Sequence, residues 1–303
     1  MRAEEQKKIN PASALRFSGE GEMTLDRPRI MGVLNVTPDS FSDGGRYDEA
    51  EAAVVHGLRM AAEGADLIDV GGESSRPGAE RIPPAEQIAR TAKVIAALRS
   101  SLDDAEHNAV AISIDTTSAD VAEAALDAGA TMLNDISAGR EDERILSLTA
   151  ERGVPICLMH MHGKPKTMQA APSYDDVVTE IEAFLAERVE AAVAAGVDRS
   201  QVLIDPGIGF GKTVEHNLAI LRALPRYVAT GQPVLLGTSR KSFLAKLQGR
   251  ADLKVEPDPA GGTAATTALG VAAGVQVFRV HDVALNHQAA IAAASVTSAS
   301  SGE

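Results

Sequence analysis

GADLID (residues 64–69), GATMLN (129–134), GVPICLMH (153–160), GVDRSQVLID (196–205) and GVQVFR (274–279) repeat one small pattern: a glycine that closes a helix, a short apolar run, and a polar residue where the run ends. A glycine just past a helix C-terminus takes positive φ without a Cβ penalty, and a short apolar run suits a strand buried on both faces. The unit is therefore helix, stop, buried strand. Because these runs end in Asp69, Asn134, His160, Asp205 and Arg279, polar side chains gather at the C-terminal ends of several parallel strands. That is where a (β/α)8 barrel carries its active site, so the chain reads as an enzyme before any motif is matched.

Extending the pattern in both directions predicts strands at 30–34, 67–70, 111–114, 132–134, 156–159, 202–204, 234–236 and 277–280, separated by helical segments. Helical periodicity is clearest over 48–63, 85–99, 119–128 and 174–195, the last opened by Ser173 with Asp176 three residues on, as in a capping box. Eight βα units with right-handed crossovers can close on themselves. The expected fold class is therefore α/β, a single-domain (β/α)8 TIM barrel over 29–294. Residues 1–28 read as a polar N-terminal extension, partly disordered or a lead-in hairpin, and 295–303 as a polar C-terminal tail. An open doubly wound sheet is the alternative, but no GxGxxG follows the first strand.

The formal charge of −13 and the absence of tryptophan argue against a nucleic-acid partner, which calls for a basic surface and stacking aromatics. No run approaches the roughly 18 apolar residues of a membrane span, and MRAEEQKKINPASALRF lacks the apolar centre of a signal peptide, which implies a cytoplasmic protein. The single cysteine, Cys157, sits inside the run PICLM and reads as a buried small hydrophobe.

The predicted strand ends carry the chemistry. The first strand runs into NVTPDSFSDGG (35–45) and the second into GGESSRPG (71–78), polar loops in which Arg76 and the hydroxyls of Ser74 and Ser75 suit a phosphate or carboxylate. Asp115, Asn134 and Asp205 end the third, fourth and sixth strands, with Met159 and His160 ending the fifth. Such carboxylates would repel a phosphate but accept paired N–H groups from a flat heterocycle such as the 2-amino-lactam edge of a pterin or guanine. Arg240 and Lys241 after the seventh strand, and Arg279 and His281 at the eighth, form a basic half at the usual phosphate position of this fold.

Taken in order, NVTPDSFSDGG, GGESSRPG, DPGIGFGK, SRKS and RVHDV resemble the dihydropteroate synthase family of folate biosynthesis, over essentially 29–287. The resemblance implies a (β/α)8 barrel that joins p-aminobenzoate to 7,8-dihydropterin-6-ylmethyl diphosphate with loss of diphosphate, aided by Mg2+, in a homodimer. Position by position it implies Asp115, Asn134, Met159, Asp205 and Lys241 around the pterin, and Asn35, Ser75, Arg279 and His281 around the diphosphate. It also implies Phe41, Arg76, Pro77, Phe210 and Ser242 around p-aminobenzoate, and Asn35 with Asp43 near the metal. Among these, Asp115, Lys241, Arg279 and His281 are expected to carry the catalysis. Two departures, ESSRPG where the family usually has Thr before the Arg and Ile208 where it often has Phe, remove no charged or hydrogen-bonding group.

Other signals are weaker. GKT at 211–213 lacks the glycine a phosphate-binding P-loop needs at position 206, which is Pro206. His160 and His162 form an HxH pair without the further ligands of a zinc hydrolase. Asp69 is expected to orient the loops, and Glu73, Asp135 and Asp282 to fix them as hydrogen-bond acceptors. A pterin-dependent methyltransferase would have no use for the basic half, and a silent paralogue that binds without synthesis would not need Asn35, Phe41, Arg76 and Lys241 intact.

Overall fold

The computed structural model describes residues 14–17, 21–36, 46–74, 81–163, 168, 172–247, 249 and 260–299. The chain opens with an antiparallel pair, β1 (Ala14–Arg16) and β2 (Glu22–Thr24). Eight βα steps follow: β3 (Arg29–Asn35) and α1 (Arg46–Ala62), β4 (Leu67–Gly71) and α2 (Pro84–Asp104), β5 (Ala111–Asp115) and α3 (Ala119–Asp127), β6 (Met132–Asp135) and α4 (Arg144–Arg152). Next come β7 (Ile156–Met159) and α5 (Val177–Ala194), β8 (Val202–Asp205) with α6 (Val214–Arg222) and α7 (Leu224–Val228), β9 (Leu235–Leu236) with α8 (Ser242–Leu247) and α9 (Ala260–Ala272), and β10 (Val277–Val280) with α10 (Val283–Ala299).

All five glycines of the repeated pattern have positive φ, from 63° at Gly153 to 110° at Gly129. Gly153 shows the mechanism: it is the left-handed C-cap of α4, and its N–H returns to the Thr149 and Ala150 carbonyls before β7 begins. The sheet order β8-β7-β6-β5-β4-β3-β10-β9 is parallel throughout, and a parallel bridge between Ile204 and Val234 joins its two ends into a barrel. This closing seam is thin, with β9 only two residues long and Pro233 offering no N–H. Side-chain amides supplement it: Gln232 Nε2 donates to the Arg199 and Val202 carbonyls (2.9 and 2.7 Å), and Gln276 Oε1 accepts from Val234 N–H (2.8 Å).

Alternation along each strand separates two cores. Ile30, Leu34, Ile68, Val70, Ile112, Ile114, Leu133, Ile156, Leu158, Val202, Ile204, Leu236, Phe278 and Val280 face out and pack under the helices. Met31, Leu67, Ala111, Met132, Cys157, Leu203, Leu235 and Val277 face in and fill the lower barrel, with Leu15 and Met23 of the β1–β2 hairpin plugging the bottom. Two residues further along the same inward faces come Val33, Asp69, Ser113, Asn134, Met159, Asp205, Gly237 and Arg279. The pleat thus turns an apolar floor into a polar ring.

Three boundaries differ by three residues or more from the sequence reading, the first being α2, which continues to Asp104 and not 99. α5 starts at Val177, because Asp176 rather than Ser173 is its N-cap, accepting from Val178 and Thr179 N–H. α10 continues to Ala299, past the start of the tail at 295. Among the described residues no helix is long and apolar enough to cross a membrane.

Candidate active site

The polar ring is organised around Asp69, which is fully buried. Its Oδ1 accepts from Ser113 Oγ at 2.6 Å, while Oδ2 accepts from Asn134 Nδ2 at 3.0 Å and Arg279 Nε at 2.6 Å. Arg279 Nη2 also donates to Asp115 Oδ2 at 2.8 Å, so one guanidinium from β10 is forked between carboxylates of β4 and β5. Burial works against the charge on Arg279, but Asp69 and Asp115 together outweigh it and hold that pKa above its ordinary value. One cation cannot offset two anions. Burial pushes the Asp115 carboxyl up to about 7 even with Arg279 beside it.

Across the barrel, Asp205 at the end of β8 accepts from Gly207 N–H at 2.7 Å. Burial pushes it up to about 6, against the pull of that hydrogen bond and of Lys241 and Lys212. Gly207 is where the chain turns over the β7 end: its φ is +70°, and a Cβ there would lie 1.9 Å from the His160 carbonyl oxygen. Lys241 follows β9 and places Nζ 3.9 Å from the centre of the Phe210 ring, a cation–π contact. Burial, with Arg279 next, lowers Lys241 to about 8. Phe210 packs with Met159, Met161 and Met168 into an apolar wall. Asn35 ends β3 beside Asp115, with the side-chain-free Gly71 between them leaving the mouth open. His281 follows β10, its N–H and Nδ1 lying 3.1 and 3.0 Å from Ser239 Oγ.

The mouth thus has a carboxylate and amide side (Asp115, Asn134, Asp205), an apolar wall (Met159, Phe210) and a basic side (Lys241, Arg279, His281). Ser242 is exposed at the start of α8, on the rim. Phe41, Asp43, Ser75, Arg76 and Pro77 lie outside the described residues. Among the described residues no group of three His, Cys, Asp or Glu side chains could hold a metal ion.

Residues 31–281 match the sequence profile of the pterin-binding enzymes. The dihydropteroate synthase of Mycobacterium leprae is 49% identical over 265 residues, spanning 86% of this chain and 90% of that protein. This chain belongs to the dihydropteroate synthase family. The family's structures superpose on it: the Xanthomonas albilineans dihydropteroate synthase solved with 4-aminobenzoic acid has a TM-score of 0.84 at 45% identity, covering 94% of this chain and 98% of that one. The same organism's enzyme solved with 7,8-dihydropteroate has a TM-score of 0.80 at 43% identity, covering 93% and 98%.

Several roles emerge that the motifs alone do not show. Asp69 holds one residue from each half of the mouth, Asn134 and Arg279. Arg240, paired with Lys241 in the sequence reading, is exposed, and its charge is felt by His56 on α1 instead. Its φ of 57° turns it outward while Lys241 turns in. Glu73, Asp135 and Asp282 do fix loops, accepting from the N–H groups of Ile82, of Ser137 and Gly139, and of Leu285 respectively. Ser113, Ser239 and Lys212 were missed, because a small hydroxyl residue or a lysine in a glycine-rich turn carries no signal of where it faces.

Proposed function

We propose that this chain is a dihydropteroate synthase, a transferase that joins 7,8-dihydropterin-6-ylmethyl diphosphate to p-aminobenzoate, releasing diphosphate and 7,8-dihydropteroate for folate biosynthesis. The observation that carries the reading is the division of one buried ring into a carboxylate half and a cationic half, joined by Asp69. Asp115, Asn134 and Asp205 accept and orient the N–H edge of the pterin, whose flat face lies on Met159, with Lys241 closing the ring's polar perimeter. Arg279, through N–H groups not given to Asp69 and Asp115, and His281, aligned by Ser239, hold the diphosphate together with Asn35 and Ser75. Phe210 and Ser242, with Phe41, Arg76 and Pro77, border p-aminobenzoate.

In the reaction the methylene C–O bond breaks, its electron pair leaving with the diphosphate, and the arylamine nitrogen forms the new bond and gives up a proton. Arg279 and His281 stabilise the leaving anion. Asp115 and Asp205 are carboxylates that burial makes costly to ionise even with Arg279 and Lys241 nearby, and a delocalised positive charge on the pterin between them favours their ionised forms. No strong general base is required, since the arylamine attacks as the neutral form. Asn35 contributes a neutral oxygen at the diphosphate end; with Asp43 and phosphate oxygens it suits a Mg2+ that keeps most of its waters. That ion, when bound, would lower the charge of the leaving group.

The remaining expectations complete the reading: a cytoplasmic homodimer whose barrel spans 29–294. α9 and α10 support the dimer, since Leu269, Ile291 and Val296 are more than half exposed on helices rich in small apolar residues.

The test is diphosphate release and dihydropteroate formation from both substrates with Mg2+, the Asp205→Asn variant run alongside. Turnover reduced on the order of 10²-fold or more in the variant is expected, since the pterin edge loses its charged acceptor. Equal turnover in the two proteins would refute the pterin assignment, and binding without turnover in the parent would favour a silent paralogue.

A further inference from the structure

Lys212, the lysine of DPGIGFGK, has no role in the assignments above, yet it is 3% exposed. No carboxylate among the described residues lies within ion-pair distance of its ammonium. Nζ instead makes three contacts: His160 Nδ1 at 3.0 Å, the Phe210 carbonyl at 3.0 Å and the His160 carbonyl at 3.4 Å. An ammonium has three N–H donors, and these three contacts match its whole capacity. Burial lowers the Lys212 pKa to about 7, so a charge there stabilises little, and its value lies in the geometry it imposes.

The segment it holds needs holding. From Gly207 to Gly211 the chain has three residues in the left-handed region, at φ values of +70°, +82° and +65°, and so lacks a regular ladder. Phe210 N–H turns back to the Gly207 carbonyl at 3.1 Å, while Gly209 N–H is taken by Asn217 Oδ1 at 2.8 Å. The outward carbonyl of Phe210 is met by Lys212. The other end of the clamp is rigid: burial, reinforced by Lys212, lowers the His160 pKa to about 2, so the ring is neutral and its Nδ1 can accept. Phe184 packs edge-on against that ring at 4.9 Å.

We propose that Lys212 is a positioning residue for the arylamine substrate, a clamp that ties the Phe210 backbone to the end of β7 and thereby sets the Phe210 ring beneath Lys241. The inference rests on the reading that Phe210 borders p-aminobenzoate. Among the described residues, Phe210 is the member of that subsite seated in the barrel's apolar wall, with Met159 on the pterin side and the Lys241 ammonium over its ring, so a shift of its backbone moves the boundary between the two substrates. Among the described residues Lys212 makes no hydrogen bond to a group assigned to the pterin or the diphosphate, and its loss acts on the second substrate through Phe210.

The experiment is steady-state kinetics on Lys212→Met, Phe210→Ala and the double variant, with thermal denaturation as the check on folding and Lys212→Gln as the substitute if Lys212→Met does not fold. Lys212→Met is expected to raise KM for p-aminobenzoate about tenfold, with kcat and KM for the pterin diphosphate within about threefold of the parent. The double variant should be no worse than Phe210→Ala, because the clamp has nothing left to position. A KM for p-aminobenzoate unchanged in Lys212→Met and raised in Phe210→Ala overturns the clamp alone. Independent, multiplying effects in the double variant overturn it as well. No effect of Phe210→Ala overturns the clamp together with the subsite reading beneath it.

Discussion

Replacing Asp69 by Asn removes one negative charge from a fully buried point where three donors converge. The amide oxygen can still accept from Ser113, but the new NH2 faces the Asn134 amide and the Arg279 Nε–H, donor against donor. Removing one partner of a buried pair costs about 3–5 kcal/mol. Arg279 keeps Asp115 at 2.8 Å, which places the expected loss near the lower end, about 3 kcal/mol. At roughly 2–4 °C per kcal/mol for a chain of this size, the melting temperature should fall by about 6–12 °C. Activity should suffer separately, since Arg279 and Asn134 both lose their anchor. A displacement of about 1 Å at such groups is worth on the order of 10²-fold in kcat/KM, or about 2.7 kcal/mol of transition-state stabilisation. Thermal melts and kcat/KM measure the two effects. A melting temperature within about 2 °C of the parent, with kcat/KM within about threefold, would refute the claim that Asp69 joins the two halves of the site.

The remaining outcomes follow from the same ring and the turn above it. Burial raises Asp205 to about 6 and Asp115 to about 7 from 3.8, so the folded state holds these protons more tightly than the unfolded chain. Their stabilising effect is full below the unfolded value and is lost as pH rises through about 6 and 7; Asp205→Asn, which cannot ionise, should therefore gain on the parent in melting temperature as pH rises from 3.8 to about 6, and a pH-independent difference by calorimetry would contradict this. Gly207→Ala forces a side chain into positive φ and against the His160 carbonyl, so a loss of more than about 2 kcal/mol is expected by denaturant unfolding, and an unchanged midpoint would show that the turn is not held as described.

Local rules reach far in this chain because a barrel strand is short and its signals are close together. A glycine stop, an apolar run and a polar end were enough to place five of the eight parallel strands, and period-2 alternation would have assigned Asp69, Asn134, Asp205 and Arg279 to the inward face without a structure. The seventh strand is the weakest signal: Val234 reads as part of it but contributes only a bridge, since Pro233 cannot extend the ladder and glutamine side chains supplement the seam. At the other end of α5 the difference was one of competing caps, with Asp176 outdoing Ser173 as an acceptor for the first free N–H groups.

What the sequence determined by itself is most of the polar groups at the strand ends, because alternation and strand direction are local properties. Which of those groups meet is not local. Asp69 and Arg279 are 210 residues apart, and closure of the sheet sets their 2.6 Å contact. The same holds for Lys212, whose spacing suggests a failed phosphate loop and whose function as a clamp depends on β7 lying beside β8. Arg240 and Lys241 are equivalent as letters, yet a backbone φ of 57° sends one to solvent and leaves the other against Phe210. Burial then separates residues of identical type, lifting Asp115 and Asp205 toward neutrality while exposed carboxylates such as Asp176 are drawn down by their hydrogen bonds. Those shifts arise from the loss of water around a charge, and only the packed chain decides which charges lose it.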